Sequence, residues 1–174
     1  MTPAEIERTL KTINLLVDTR EQPTEKYKSR MKAVGFPYRR EKLDFGDYSA
    51  EYTLGGNVVS LKNSIVIERK MSLDEICGNF TRGRTRFENE FERAIQNGAK
   101  VHLIIENGSY EKVIAGEYRS RLNSNSLFSS LIAFCDRYNI TIHFCDEHTT
   151  PSLIHKLIYH HIRNELQKEE NNNV

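Results

Sequence analysis

Tryptophan is absent from these 174 residues, and cysteine occurs only three times, at Cys77, Cys135 and Cys145. Three widely spaced thiols without a CxxC complete no disulfide framework, so reduced cysteines in a reducing cytoplasm (or a nucleus, in a eukaryote) are expected. Long apolar runs are missing too. Stretches such as LIAF at 131–134 and VIAG at 113–116 fall far below the roughly 18 to 20 residues that a membrane span requires. The start, MTPAEIERTLK, has neither the basic opening nor the apolar region of a secretory signal. Charge of one sign is also lacking: 25 Lys and Arg against 24 Asp and Glu leave a net +1. No global basic field announces nucleic acid, and any hold on it must come from local charge placement.

What is present is the make-up of a folded domain. Hydrophobic residues at 38% against 28% charged, with eight Tyr and eight Phe, suit one soluble core rather than a disordered chain. No internal repeat and no linker rich in Pro or Gly divides it. The organisation expected is an N-terminal helix over residues 1–11, one domain over 12–168 and a frayed tail over 169–174.

Strand-like and helix-like periodicities alternate, which predicts an α/β fold. Thr2-Pro3-Ala4-Glu5 is a capping box with Pro at the first helical position, and INLLVD at 13–18 reads as a buried strand. A helix after Thr24 carries Tyr27, Met31 and Val34 on one face and ends at Gly35. Residues 38–61 read as antiparallel strands around the hairpin signal Gly55-Gly56-Asn57, and IVIERK at 65–70 as a central strand. Further on, Ser72-Leu73-Asp74-Glu75 is a second capping box. Helices are then predicted over 86–97, 110–118, 126–138 and 151–167, with strands at 101–106 and 140–145.

Three carboxylates fall where strands end or turn: Asp18, Asp47 and Glu68. A charge closing an apolar strand is costly unless water, a partner or a cation meets it. Strand alternation puts Glu68 and Lys70 on one face and turns Arg69 away. Twenty residues separate Asp47 from Glu68, enough for an excursion that returns them to neighbouring strands. Such oxygen ligands suit a hard cation, Mg²⁺ or Mn²⁺, with Lys70 placed to orient or deprotonate a water or to neutralise charge during phosphodiester hydrolysis. Asp18 by itself also reads as an ordinary strand-end acid in a salt bridge.

VDTRE at 17–21, GDY at 46–48 and ERKMSLD at 68–74 together resemble the nuclease domain of the XPF-type structure-specific endonucleases, whose signature is GD, a variable stretch, ERK, three residues, then D. Weaker similarity extends through RGRTRFENEFERA at 82–94 and LIIE at 103–106 to about residue 165. The resemblance implies a restriction-endonuclease-like fold, a mixed central β-sheet flanked by α-helices. It also implies that Asp18, Asp47 and Glu68 are metal ligands, that Lys70 is the catalytic lysine, and that Arg69 offers its carbonyl near the metal. Arg20, Glu21 and Asp74 would support the site; Asp74 equally suits the first turn of a helix. Glu106 resembles a family acid or caps the surface.

Arg82, Arg84 and Arg86 place three cations in the seven residues FTRGRTR, a pattern for phosphate contact unless they pair with Glu88, Glu90 and Glu92. The basic residues Lys28, Arg30, Lys32, Arg39, Arg40 and Lys42 read as a solvated face. Cys145, Asp146, Glu147 and His148, with His155, His160 and His161, lack the spacing of a zinc site. The activity implied is a metal-dependent endonuclease for branched DNA such as flaps, forks and junctions, in repair, recombination or replication, with no nucleotide cofactor. Alternatives are a nonspecific or sequence-specific duplex nuclease and a catalytically silent DNA-binding scaffold. A homodimer or a partner subunit is implied by the resemblance, as is a stand-alone microbial or phage form, because no helicase region or tandem helix-hairpin-helix domain is visible.

Overall fold

The computed structural model describes residues 1–171, with side chains through Lys168. Helix α1 (Pro3–Leu10) opens the chain under the expected capping box: the Thr2 hydroxyl accepts from Glu5 N–H while the Glu5 carboxylate accepts from Thr2 N–H. Strand β1 (Asn14–Asp18) follows, then α2 (Glu25–Val34), capped by Thr24 and ended by Gly35 at φ +80°. Next come β2 (Tyr38–Glu41), β3 (Tyr48–Leu54), β4 (Asn57–Ser60) and β5 (Ile65–Lys70). The second half runs α3 (Leu73–Phe80), α4 (Arg84–Gln96), β6 (Lys100–Glu106), α5 (Tyr110–Ala115), α6 (Ser124–Tyr138), β7 (Thr141–Cys145) and α7 (Thr150–Asn171).

Among the described residues the strands form one mixed sheet in the order β2-β1-β3-β5-β6-β7, with β4 paired to β3. Here one expectation is corrected. β2 does not join an antiparallel set but lies parallel to β1, Leu15 opposite Tyr38 through Asp18 opposite Glu41. The physical reason is the intervening α2: a strand that returns after a helical crossover re-enters in the same direction, whereas β3 and β4, joined at Gly55-Gly56, must be antiparallel. Several helix boundaries also move. α4 begins at Arg84 rather than residue 86, α5 stops at Ala115 because Gly116 adopts φ +71°, and α7 continues to Asn171. Of the expected frayed tail, residues 172–174 lie outside the described residues.

The sheet is covered on both faces, as nearly continuous apolar strands require. On one face α1, α2 and α7 pack Ile6, Tyr27, Met31, Ile154 and Ile158 against Leu15, Val17, Tyr48, Ile65 and Ile67. On the other, α3 through α6 pack Ile76, Phe87, Phe91, Leu131 and Phe134 against Val66, Leu103 and Ile105. Alternation along β5 therefore sends Ile65 and Ile67 to the first face and Val66 to the second, and Glu68 and Lys70 follow Val66. Since β1 and β5 both run antiparallel to β3, the last residues of β1 and β5 and the first of β3 meet at one sheet edge.

Candidate active site

The pairing of β3 with β5 is brief, and it decides the site. Tyr48 stands opposite Ile67, so the next step of the antiparallel register sets Asp47 opposite Glu68 on the same face. Asp47 N–H donates to Ile67 O at 2.9 Å, and Arg69 N–H donates to Asp47 Oδ2 at 2.8 Å, which locks the carboxylate across the strand end. Gly46 makes this approach feasible. It holds φ +72°, and a Cβ there would lie 2.0 Å from Val66 Cγ1. The GD pair is thus a backbone requirement followed by a carboxylate fixed across the strand end.

Glu68 and Lys70 are only 7% and 8% exposed, and Lys70 Nζ meets Glu68 Oε1 at 2.5 Å. Burial works against the Lys70 ammonium, but the adjacent Glu68 carboxylate outweighs it and raises the lysine above its ordinary value. Held in this way Lys70 is a buried ammonium paired with the Glu68 carboxylate. The ammonium also lies 5.2 Å from the centre of the Phe87 ring. Asp47 is half-buried, and burial followed by the charge of Glu68 pushes its carboxyl well above the usual range. Two carboxylates facing each other in a partly dry cleft resist joint ionisation, a conflict that a divalent cation relieves.

That cleft, about 760 Å³ with its open mouth, is lined by Asp47, Glu68, Lys70, Arg20, Glu75, Asn79, Gly83, Arg86, Phe87 and Glu90. Asn79 Oδ1 is buried in its wall without a hydrogen-bond partner. Two carboxylates with an unpaired amide oxygen suit a hard, oxygen-seeking ion that keeps several waters. No group of three or more acids, histidines or cysteines gathers as a ready cation cage among the described residues.

Asp18 does not line this cleft. It is fully buried and both its oxygens are engaged: Oδ1 accepts from Arg20 N and Arg20 Nε, each at 2.7 Å, and Oδ2 accepts from Leu43 N at 2.7 Å. Burial would raise its pKa, yet these donors together hold it below the ordinary carboxylate value. Its place is behind Arg20, whose guanidinium reaches Gly46 O at 3.5 Å and Glu90 at 3.4 Å. Glu21 sits with Arg30 (2.7 Å) and the Tyr48 hydroxyl (3.2 Å). Arg69 turns to the opposite face, where Glu106 accepts both its Nε and Nη2.

Asp74, at the start of α3, does not line the cleft of Asp47 and Glu68 but a neighbouring one. It accepts from Arg119 N at 2.8 Å and Ser120 N at 2.9 Å, pinning the segment between α5 and α6. The three arginines separate as well: Arg86 lines the cleft, Arg84 pairs with Glu88 at 3.0 Å, and Arg82 lines a neighbouring cleft. Sequence reasoning counted Glu90 only as a partner for those arginines. Its spacing of i+4 from Arg86, beside the buried Phe87 and Phe91, was the signal that it projects into the cleft. The histidine-rich C-terminal region holds no metal cluster among the described residues: His155 stacks on Phe36 and bonds Val34 O, and His161 meets Ser64 and Glu165.

A mixed sheet with an Asp, a Glu and a Lys converging at one strand edge is the arrangement of a restriction-endonuclease-like nuclease fold. The chain belongs to the ERCC4 domain family, whose model matches residues 17–157, and its fold is that of an XPF-type nuclease domain. It is similar to XPF from Aeropyrum pernix, at TM-score 0.59 and 22% identity over 83% of this chain. A structure of XPF from Aeropyrum pernix in complex with DNA is similar at TM-score 0.59 and 21% identity over 89% of this chain. The chain spans 64% and 66% of those two proteins, less than two thirds of either. No curated protein matches it. No helix among the described residues is long and apolar enough to cross a membrane.

Proposed function

We propose that the chain is a divalent-metal-dependent endonuclease that hydrolyses phosphodiester bonds in DNA and prefers branched substrates such as flaps, forks or junctions. The observation that carries this reading is the placement of Asp47 opposite Glu68 with Lys70 Nζ 2.5 Å from the Glu68 carboxylate. Membership of the ERCC4 domain family supports it, as does the likeness in fold to XPF, one structure of which contains DNA.

Asp47 and Glu68 would hold Mg²⁺ or Mn²⁺, with the Arg69 carbonyl at the same strand end. Bound there, the ion supplies Lewis-acid polarisation of the scissile phosphate and a water of lowered pKa. The chain's own residues do the rest. Lys70 offers a buried ammonium to the charge that builds on the phosphate, in a setting where water screens it little. Asp18 acts through Arg20, fixing the guanidinium at the rim of the cleft, and Arg86 meets the incoming backbone. A homodimer or a partner subunit would add contact area, since a net charge of +1 supplies little long-range attraction.

The test is cleavage of labelled linear duplex, single strand, 3′ flap, fork and four-way junction by the purified protein, with Mg²⁺ and with chelator. Metal-dependent cutting strongest on the branched forms is expected. Equal cutting of linear duplex would favour the nonspecific reading, and no cutting of any substrate would leave a silent scaffold.

A further inference from the structure

The turn that closes the candidate site on one side is also the wall of a second cleft. Asn79 and Gly83 line the cleft of Asp47 and Glu68, whereas Gly78, Thr81 and Arg82 line its neighbour. Across from them, Arg119 and Arg121 project from the segment between α5 and α6, and the opening measures about 1410 Å³ with its open side. The ridge between the two clefts is firm: Gly83 N–H donates to Gly78 O at 3.0 Å, and the Thr81 hydroxyl donates to Cys77 O at 2.9 Å.

The charge in the second cleft is one-sided. Its titratable lining is Asp74, Arg82, Arg119 and Arg121. Asp74 is already engaged by the Arg119 and Ser120 amides and by Arg119 Nε at 3.3 Å. Arg82 and Arg121 have no hydrogen bond or ion pair among the described residues and are exposed. α6 also begins here, with Asn123 as its cap and no acid in its first turn, so the positive end of a 15-residue helix adds to the same field. Unpaired guanidinium groups, a helix start and the hydroxyl of Ser126 are donors matched to phosphodiester oxygens.

We infer that this second cleft holds the phosphate backbone of another arm of the DNA substrate, so that the ridge at residues 79–83 stands at the branch point between that arm and the strand to be cut. The inference rests on the nuclease reading and gives it a structural basis for choosing branched DNA. Asp74 acquires a role that its position in the ERKMSLD motif does not reveal: it pre-places the arginine-bearing segment rather than binding a cation.

The test compares the full chain with R82A/R121A and R82K/R121K, binding a labelled fork with two duplex arms or a linear duplex the length of one arm, in EDTA. The alanine pair should weaken fork binding about tenfold or more and reduce the slope of log affinity against log NaCl by about two, near one per phosphate contact. The loss on the linear duplex should be at least about fivefold smaller, and the lysine pair should regain most of the fork affinity. Equal losses on both DNAs, an unchanged fork affinity, or a lysine pair as weak as the alanine pair would overturn the inference. Because binding is read without cleavage, a protein that grips the fork through these arginines and cuts nothing sinks the nuclease reading alone. One that cuts branched DNA regardless of them sinks this inference alone.

Discussion

Arg69 and Glu106 meet in a two-pronged ion pair across the parallel strands β5 and β6, Nε to Oε1 at 2.8 Å and Nη2 to Oε2 at 2.6 Å. The side chains are only 10% and 2% exposed, and the Thr150 hydroxyl donates to Glu106 Oε1 at 2.6 Å. The pair lies on the face away from the candidate site, yet the backbone N–H of the same arginine holds Asp47. One residue therefore couples the second face of the sheet to the geometry of the first.

Removing one partner of this pair strands a buried charge. Glu106→Leu should cost about 3 kcal/mol and lower the melting midpoint by roughly 6 to 12 °C. Adding Arg69→Met to it should restore most of the loss, because a buried pair replaced by apolar groups of similar volume is nearly neutral. Thermal unfolding of both variants checks this, and a double variant as unstable as the single one would contradict it.

Asp47→Asn separates function from stability. Cleavage should fall about 100-fold or more, while the fold gains. The native carboxyl titrates above its ordinary value, so keeping it ionised costs stability that grows as pH rises from about 4 through the raised value. The melting midpoint of the variant minus that of the parent protein should accordingly increase with pH. A variant less stable than the parent at pH 7 would show that the carboxylate is net stabilising.

Arg84 and Arg86 should differ despite their proximity in the chain. Arg84 is held by Glu88 at 3.0 Å on the outer side of α4, whereas Arg86 is 78% exposed, lines the cleft and has Glu90 no nearer than 3.7 Å. Arg86→Ala should weaken DNA binding about threefold to tenfold and reduce the salt slope by about one, and Arg84→Ala should change affinity less than about twofold. Anisotropy titrations across NaCl concentrations decide between equal and unequal effects.

His102 is a histidine whose protonation the fold opposes. It is buried, its Nδ1 lies 3.0 Å from His143 Nε2, and burial followed by the neighbouring His143 and Lys100 pulls its pKa from 6.5 to about 3. A histidine held below its unfolded value must be neutral in the fold, so stability is complete above pH 6.5 and declines as pH falls toward 3. About 2 kcal/mol should be lost between pH 6.5 and 5, and His102→Gln should flatten that part of the profile. Denaturant unfolding at several pH values measures it; parallel profiles would show that other groups govern the response.

Much of the candidate site was legible because it is local. Alternation along IVIERK sets Glu68 beside Lys70 whatever packs above them, and Gly before Asp47 announces a backbone that no side chain tolerates. The helix caps at Thr2, Thr24 and Ser72 were legible for the same reason, since the capping bond spans three residues. Less legible were relations that depend on winding or direction. A helix turns about 100° per residue, so beginning α4 at Arg84 puts Arg84 and Arg86 about 200° apart, on different sides, and leaves Arg82 before the helix in another cleft.

The sequence by itself determined the alternating elements, the acid and lysine pattern of the strand IVIERK, and the near balance of charge. Tertiary structure alone decided that β2 runs parallel to β1, that Asp18 braces Arg20 instead of facing the cleft, and that Asp74 anchors a distant arginine segment. The physical reason is range. Periodicity and caps act over a few residues, whereas the partner of a buried carboxylate is whichever donor the folded chain brings within about 3 Å: the Leu43 amide that completes Asp18 lies 25 residues away, and the Arg119 and Ser120 amides that hold Asp74 lie 45 and 46 away.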